Sequence, residues 1–312
     1  MSLLRRCLLA QGPQHPGRRQ VLLAVAATAT GAAALGSGCA LNADEDHNGP
    51  DAPRHIALSA RPQVAWVFSS GGPRGFVHVG VLKALDELKL RPQLIVGASV
   101  GALIAVLYGS GLTALEIEAL ALDLGPTRLA RLAFGSEGGE RFSGAPIAEL
   151  VREHCRVPLL EKLPLPVACV AAWPEGGVVA FTAGNVGLAV QASAAVEGQF
   201  TPLRIRGRRH IDADRQCPLP VRQALALGAQ RVLAIDASAH EDRAPEAARR
   251  YREGDLRKRE LTRPDAVAAD VLLHPDFGYW VNLSRDFRER AIAAGYRDTL
   301  AQAEALRSLH AA

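Results

Sequence analysis

The amino-acid sequence predicts an α/β fold with a mostly parallel central sheet. Short apolar runs alternate with helical patterns, glycine-rich turns separate them, and no linker-like segment interrupts the chain after residue 62. With 312 residues, of which 48% are hydrophobic and 22% are charged, the chain is long enough to bury a sizeable core. We therefore expect residues 63–312 to form one domain.

The first elements of this domain alternate between strand and helix. The apolar run 64–68 fits a strand buried on both faces, and a glycine-rich loop follows at 69–75. Apolar residues at three- and four-residue steps from Val77 to Leu88 predict an amphipathic helix, and the run 94–96 predicts a second strand. Two parallel strands joined by one helix send their carboxyl ends to the same edge of the sheet. The loop after the first strand should therefore meet the turn after the second.

The same patterns predict the remaining elements. The charged segment 239–264 is most simply a solvated helical excursion, and residues 203–211 are expected to be extended. Helices are predicted at 113–123, 144–154, 186–194, 218–227 and 285–309, and strands at 166–172, 178–182, 231–235 and 270–273.

A serine occupies the turn after the second strand, in the run Gly97-Ala98-Ser99-Val100-Gly101. Such a sharp strand-to-helix turn strains its central residue and leaves room only for glycine two positions to either side. The hydroxyl of Ser99 would then stand at a helix N-terminus, where free backbone N–H groups such as that of Val100 stabilise a developing negative charge. The pattern predicts a nucleophilic serine, with a glycine-rich packing turn as the alternative.

A second glycine-rich run, Gly71-Gly72-Pro73-Arg74-Gly75, follows the first strand. It lacks the G-x-G-x-x-G spacing of a dinucleotide-binding loop, and Pro73 has no N–H to offer to a phosphate. Glycine lets backbone N–H groups approach a ligand closely, and Arg74 adds a positive charge. We interpret the run as an anion cradle beside Ser99, the alternative being a tight packing turn between strand and helix.

The nucleophile needs a base, and more than one arrangement is open. Asp212 follows an extended stretch, and it would have to be partly desolvated, because an ordinary aspartate with a pKa of about 3.9 is a weak base. Alternatively, Ser99, Asp212 and His240 have the chain order of an α/β-hydrolase triad, although only one strand of the domain precedes the serine strand. His78 and His210 are further candidates.

The N-terminal segment resembles an export signal. Residues 1–38 contain four arginines and no acidic residue, and the uncharged run 21–35 is too short to span a bilayer. The pair Arg18-Arg19 is similar to that of twin-arginine signals, and small residues precede Cys39, as in lipoprotein signals. We expect a protein of the cell envelope, anchored to a membrane through lipidated Cys39 and a polar linker at 39–62. The alternative is an uncleaved apolar helix.

Composition argues against several other kinds of site. The four N-terminal arginines account for the net charge of +4, and the neutral remainder offers no basic stripe for nucleic acid. Cys155, Cys169 and Cys217 allow at most one disulfide in the mature chain. Because no Cys/His spacing indicates a metal site, we expect neither a metal nor a cofactor.

Five segments of the chain are similar, in order, to sequence blocks of one known protein family. They are S-S-G-G-P-R-G-F-V-H-V-G-V-L-K-A-L at 69–85, G-A-S-V-G-A at 97–102, A-S-A-A-V-E-G-Q-F-T-P-L at 192–203, I-D-A-D at 211–214 and A-A-D-V-L-L-H-P-D at 268–276. Together they resemble the successive blocks of patatin-like phospholipases, including the bacterial lipoprotein members. The resemblance implies a three-layer α/β/α fold and a Ser-Asp dyad without histidine: Ser99 as nucleophile, Asp212 as base, and Gly71 and Gly72 as oxyanion donors. The implied substrates are acyl esters of lipids.

The chain departs from this family pattern at three places. Asp212-Ala213-Asp214 stands where members usually have Asp-Gly-Gly or Asp-Gly-Ala, Ser69 replaces a glycine, and Glu197 replaces a proline. A second acid beside Asp212 should raise its pKa by like-charge repulsion. The prediction is a serine lipid acyl hydrolase, and the alternative is a catalytically impaired lipid-binding or scaffold lipoprotein. The oligomeric state is left open.

Overall fold

The computed structural model describes residues 45–125, 128–133 and 140–311 of the chain. The predicted signal segment 1–38 and the predicted lipidation site Cys39 lie outside the described residues and stay predictions. Among the helices that are described, none is both long and apolar enough to cross a lipid bilayer.

A nine-stranded sheet forms the centre of the described fold. Its strands are β1 (Asp46–His47), β2 (Val64–Phe68), β3 (Leu94–Ala98), β6 (Val167–Ala172), β7 (Val178–Phe181), β8 (Leu203–Ile205), β9 (Arg208–Asp212), β10 (Arg231–Ile235) and β11 (Val271–Leu273), with β4 (Arg131–Leu132) and β5 (Phe142–Ser143) in a separate ribbon. Strands β6, β3, β2, β10 and β11 lie side by side and run parallel, whereas β7 and β9 pair with β6 in the antiparallel direction. The mostly parallel sheet expected from the sequence is confirmed.

Helices cover both faces of this sheet and complete three layers. Because side chains alternate along a strand, Trp66 and Phe68 of β2 pack into one apolar cluster while Ala65 and Val67 pack into another. The first cluster contains the helices α1 (Phe76–Glu87), α2 (Val100–Gly109), α3 (Ala114–Asp123), α4 (Ala145–His154), α5 (Val186–Ser193), α8 (Arg285–Leu300) and α9 (Ala303–Ala311), and the second contains α6 (Val221–Ala226) and the end of α7 (Arg252–Ala268).

Two predicted elements differ in detail from the structure. The stretch 203–211, expected to be simply extended, is the hairpin of β8 and β9, because Arg206 and Gly207 have φ values of 51° and 77° and reverse the chain. The predicted helix 285–309 is divided into α8 and α9. The hydroxyl of Thr299 donates to the Gly295 carbonyl over 2.7 Å near the end of α8, a bond of the kind that bends helices.

The polar linker predicted at 39–62 differs from the structure from Glu45 onward. Strand β1 pairs in parallel with β8, Ala52 is buried, and Arg54 forms a β-bridge with Ala183. These contacts place the described part of the linker against the domain rather than in solvent. The folded unit therefore begins before residue 63.

Helices α1 and α8 pack closely against each other, and this contact allows a stability prediction. A Cβ added at Gly80 would lie 1.8 Å from the Ile292 carbonyl oxygen, so alanine would force the two backbones apart. We expect Gly80→Ala to lower the free energy of unfolding by about 2 kcal/mol, although alanine favours a helix intrinsically by about 1 kcal/mol. Urea denaturation measures the change.

The matched control is Gly254→Ala in the exposed first turn of α7, where an added Cβ would have no heavy atom within 4 Å. There the helix propensity acts alone, and we expect a gain of about 0.5 kcal/mol or more. Equal effects of the two substitutions would contradict the close approach of α1 to α8.

Candidate active site

Strand pairing brings the predicted nucleophile and base to one edge of the sheet. Ser99 follows β3, whose last residue Ala98 lies opposite Val170 of β6. Asp212 ends β9 and lies opposite Ala171, the next residue of β6. Ser99 and Asp212 are therefore level with each other at the carboxyl edge of the parallel strands, where open α/β sheets bind ligands.

Ser99 occupies a strained turn between β3 and α2. Its backbone has φ 57° and ψ −124°, a conformation that residues with a side chain rarely adopt. A Cβ at Gly97 would lie 2.4 Å from the Gly101 carbonyl oxygen, and one at Gly101 would lie 2.4 Å from the Phe68 carbonyl oxygen. The backbone N–H of Ser99 donates to the Ser193 hydroxyl over 2.9 Å, which holds the turn from α5. The requirement for glycine at both flanking positions, as predicted, comes from backbone contacts.

The glycine-rich loop lies against this turn. Residues Gly72–Gly75 form a single 3-10 turn that starts at Gly72 with φ +53°. A Cβ at Gly75 would lie 2.3 Å from a methyl carbon of Val100, so the loop and the start of α2 are in direct contact. Gly72 and Val100 each begin a helical turn, and the N–H groups at such positions have no acceptor within the turn. These two N–H groups are thus available to an anion beside Ser99.

Arg74 does not contribute to an anion cradle in the manner predicted. Its backbone N–H donates to the Gly71 carbonyl over 3.1 Å, and its guanidinium donates to the Tyr279 carbonyl over 2.6 Å. The guanidinium carbon also lies 5.8 Å and 5.6 Å from the ring centres of Phe277 and Tyr279. The guanidinium therefore links the glycine-rich loop to the segment before α8.

Asp212 is buried, and its two carboxylate oxygens differ in their hydrogen bonding to the described residues. Its backbone N–H donates to the Ala195 carbonyl over 2.9 Å, and its Oδ1 accepts the Asp214 N–H over 2.8 Å. Among the described residues, Oδ2 has no hydrogen-bond partner of normal geometry. The Ser99 hydroxyl is nevertheless near enough to lower the pKa of the Asp212 carboxyl by hydrogen bonding. The open oxygen is the one that can receive a proton.

The environment of Asp212 gives it the proton affinity of a usable base. Burial and then repulsion by Asp214 raise the pKa of Asp212 to about 7, while the Ser99 hydroxyl, the Asp214 N–H and Lys258 act in the opposite direction. The desolvation expected for a catalytic aspartate is present, and so is the effect expected from the second acid. A base whose pKa lies close to neutral pH is suited to proton transfer at that pH.

The departure from Asp-Gly-Gly is accommodated without strain. Ala213 is buried, and it is not among the described residues with a positive φ, which apart from glycines are Lys89, Ser99 and Arg206. The Cβ at 213 is therefore compatible with the turn that follows β9. This turn places the Asp214 side chain against the Ser70 hydroxyl and against Lys258.

The histidines considered from the sequence lie in other arrangements. His240 stacks on His274 with ring centres 3.8 Å apart, and the groups that act on its pKa are those of its own neighbourhood rather than Ser99 or Asp212. His78 is fully buried, pairs with the Ser69 carbonyl at 3.0 Å, and has its pKa lowered to about 4 by desolvation. His210 receives the indole N–H of Trp173 at 3.1 Å. None of these contacts assembles a triad.

An apolar cavity of about 630 Å³ opens beside Ser99. It follows one face of α2, from the Ser99 turn to Leu107, and its far wall comes from α3, α4 and Leu283. The lining includes Gly72, Gly75, Ser99, Val100, Leu103, Leu107, Ile117, Leu124, Ile147 and Phe200. A cavity of this size and composition suits a hydrocarbon chain whose polar end lies at Ser99.

Neither a disulfide nor a metal cluster is present in the part of the chain that the structure describes. Cys155, Cys169 and Cys217 are buried free thiols. No group of three or more His, Cys, Asp and Glu side chains among the described residues is placed to hold a metal ion.

Comparison with known proteins finds a family model that matches this chain. The family model described as patatin-like phospholipase matches residues 66–225, slightly more than half of the chain. This span includes the glycine loop, Ser99 and Asp212. An "uncharacterized NTE family protein" of Mycobacterium tuberculosis is 30% identical over 185 residues, which cover 59% of this chain and 51% of that protein. The chain thus matches about half the length of this relative.

Other similarities are more distant. The protein named lysophospholipase NTE1 of Mycosarcoma maydis is 24% identical over 213 residues, 64% of this chain and 11% of its own length. Among solved structures, the type III effector ExoU covers 83% of this chain and 54% of its own, with 14% identity and a TM-score of 0.43. VipD from Legionella pneumophila covers 80% of this chain and 67% of its own, with 14% identity and a TM-score of 0.46.

Proposed function

Because the chain belongs to the patatin-like phospholipase family, we propose that it is a serine hydrolase of lipid acyl esters in which Ser99 and Asp212 form the catalytic dyad. One observation carries the proposal: a strained serine stands between an apolar cavity and a buried carboxyl whose pKa is about 7. A relative named lysophospholipase supports a lipid ester as the substrate class.

The dyad can move the protons of both half-reactions. As the Ser99 oxygen bonds to the ester carbonyl carbon, its proton passes to the ionised Asp212 carboxylate. Collapse of the tetrahedral intermediate breaks the bond to the leaving alcohol, which takes that proton from Asp212. A water molecule then gives a proton to Asp212 and attacks the acyl-serine, and the fatty acid leaves as the proton returns to Ser99.

The glycine loop and the start of α2 supply the charge stabilisation. The proposed donors to the oxyanion are the backbone N–H groups of Gly71, Gly72 and Val100, which are fixed before the reaction starts. The Ser99 N–H is not among them, because it is bonded to Ser193. Gly75 has the supporting role of keeping the loop in contact with Val100.

The substrate would bind with its acyl chain in the cavity and its head group toward solvent. We further propose that the protein is exported to the cell envelope and that lipidated Cys39 holds it at the membrane that contains its substrate. No cofactor takes part in the proposed reaction.

A fluorophosphonate probe tests the function directly. This reagent phosphonylates only a serine whose proton can be removed, so we expect the native protein to be labelled at Ser99, as located by peptide mass spectrometry. Ser99→Ala and heat-denatured protein should remain unlabelled. A folded wild-type protein that fails to react would instead favour the impaired lipid-binding lipoprotein, since its cavity would be intact without an activated serine.

A further inference from the structure

Lys258 of α7 points toward the turn that follows Asp212. The Nζ of Lys258 donates to Oδ1 of Asp214 over 2.6 Å, and the Lys258 side chain is only 20% exposed. The same carboxylate oxygen accepts the Ser70 hydroxyl, which also lies 3.4 Å from Nζ. The four arginines of α7 are by contrast exposed. Lys258 therefore joins α7, the Asp214 turn and the glycine loop at one point.

This contact matters because two carboxyl groups share a single short turn. The Asp214 N–H donates to Oδ1 of Asp212 over 2.8 Å, so the second acid is held beside the first. Neighbouring carboxylates in a poorly solvated place do not both ionise unless a positive charge compensates one of them. Lys258 is placed to compensate Asp214, which leaves Asp212 free to ionise.

We propose that Lys258 is a positioning residue for the Ser99–Asp212 pair: it neutralises Asp214, so that Asp212 can act as the base, and it joins the Asp214 turn to the glycine loop through Ser70. The inference rests on the proposed function, because it assigns Lys258 a part in keeping that base ionised. It also explains how the chain tolerates an acid where the family usually has a small residue.

The charges around the turn support this role. Asp214 raises the pKa of Asp212 and Lys258 lowers it, while Lys258, Ser70 and Arg215 together hold the pKa of Asp214 below its usual value despite burial. The elements that carry Ser99 and Ala195 present neutral groups to Asp212, a hydroxyl and a carbonyl. Lys258 is thus a positive group that acts on both Asp212 and Asp214.

Charge removal and charge cancellation test the inference in four variants. In Lys258→Met the acidic limb of kcat/KM for a water-soluble acyl ester should move to higher pH by about 1 unit, because uncompensated Asp214 then opposes ionisation of Asp212. Lys258→Arg should stay close to wild type. Asp214→Asn should move the limb to lower pH, and the double variant Lys258→Met/Asp214→Asn should return toward the wild-type profile.

A second measurement makes the test independent of catalysis. The pKa of the Asp212 carboxyl is followed by ¹³C NMR in aspartate-labelled protein, with Asp212→Asn used to assign the signal. The matched control is Arg257→Met, which removes an exposed positive charge one residue from Lys258 on the same helix and should leave the Asp212 pKa unchanged.

The possible failures are distinct. An Asp212 pKa that rises no more in Lys258→Met than in Arg257→Met overturns the inference, as does a double variant that fails to recover. Should Lys258→Met not fold, Asp214→Asn and the double variant still decide the matter, since neither leaves Asp214 as an uncompensated carboxylate. An inactive wild type that nevertheless shows the NMR shifts contradicts the proposed function instead.

Discussion

Asp212→Asn should lower kcat/KM for a lipid acyl ester at least about 1,000-fold without disturbing the fold. Asparagine has the same shape, and its carbonyl oxygen can still accept the Asp214 N–H that Oδ1 accepts now. What it lacks is a lone pair of sufficient basicity at the open Oδ2 position, so the Ser99 proton has no acceptor. Steady-state kinetics measures the loss, and a thermal melt checks that the variant is folded.

The control for this prediction is His240→Ala. The His240 ring is stacked on His274, and the groups that act on its pKa do not include Ser99 or Asp212, so its removal should leave ester hydrolysis nearly intact. A large loss in His240→Ala together with a mild one in Asp212→Asn would contradict the dyad and support the triad of an α/β-hydrolase.

The sequence was most informative where structure depends on local pattern. Runs such as 64–68 and 94–96 are apolar on both strand faces because helices cover both sides of the sheet, and the structure has strands there. The pairing of β1 with β8 could not be predicted, because a two-residue strand in a polar segment has no periodic signal. The turn at Arg206-Gly207 was missed because an arginine with positive φ is rare.

The predicted residues of the site lie in local sequence patterns, whereas the missed residues depend on contacts between distant segments. Ser99 and Asp212 lie in motifs, and the pairing of β6 with β3 on one side and with the antiparallel β9 on the other places them together. Ser193 and Lys258 act through contacts between segments distant in the chain, since Lys258 and Ser70 are 188 positions apart. No short motif marks such a pair. The predicted role of Arg74 differed from the structure because the sequence did not indicate that Tyr279 would bind its guanidinium.

Ser99→Gly should abolish activity and at the same time stabilise the protein. Removing the nucleophile costs at least about 10,000-fold in kcat for an acyl ester. The backbone at Ser99, with φ 57° and ψ −124°, is strained for any residue with a Cβ, at a cost of about 1–3 kcal/mol, whereas glycine adopts it readily. After the larger unfolded-state entropy of glycine is subtracted, we expect a net gain of about 1 kcal/mol in the free energy of unfolding, measured with urea.

Ser99→Ala separates the two effects, because alanine removes the hydroxyl and keeps the strain. It should lose activity as completely as Ser99→Gly but remain near wild type in stability. At an ordinary position glycine is less stable than alanine by about 0.5–1 kcal/mol, so the expected reversal of that order is specific to a strained turn. If the glycine variant were the less stable of the two, the strain would be absent. If the alanine variant still hydrolysed esters, Ser99 would not be the nucleophile. The expected pair of results would mean that the strained backbone at Ser99 lowers the stability of the protein while it holds the hydroxyl at the mouth of the cavity.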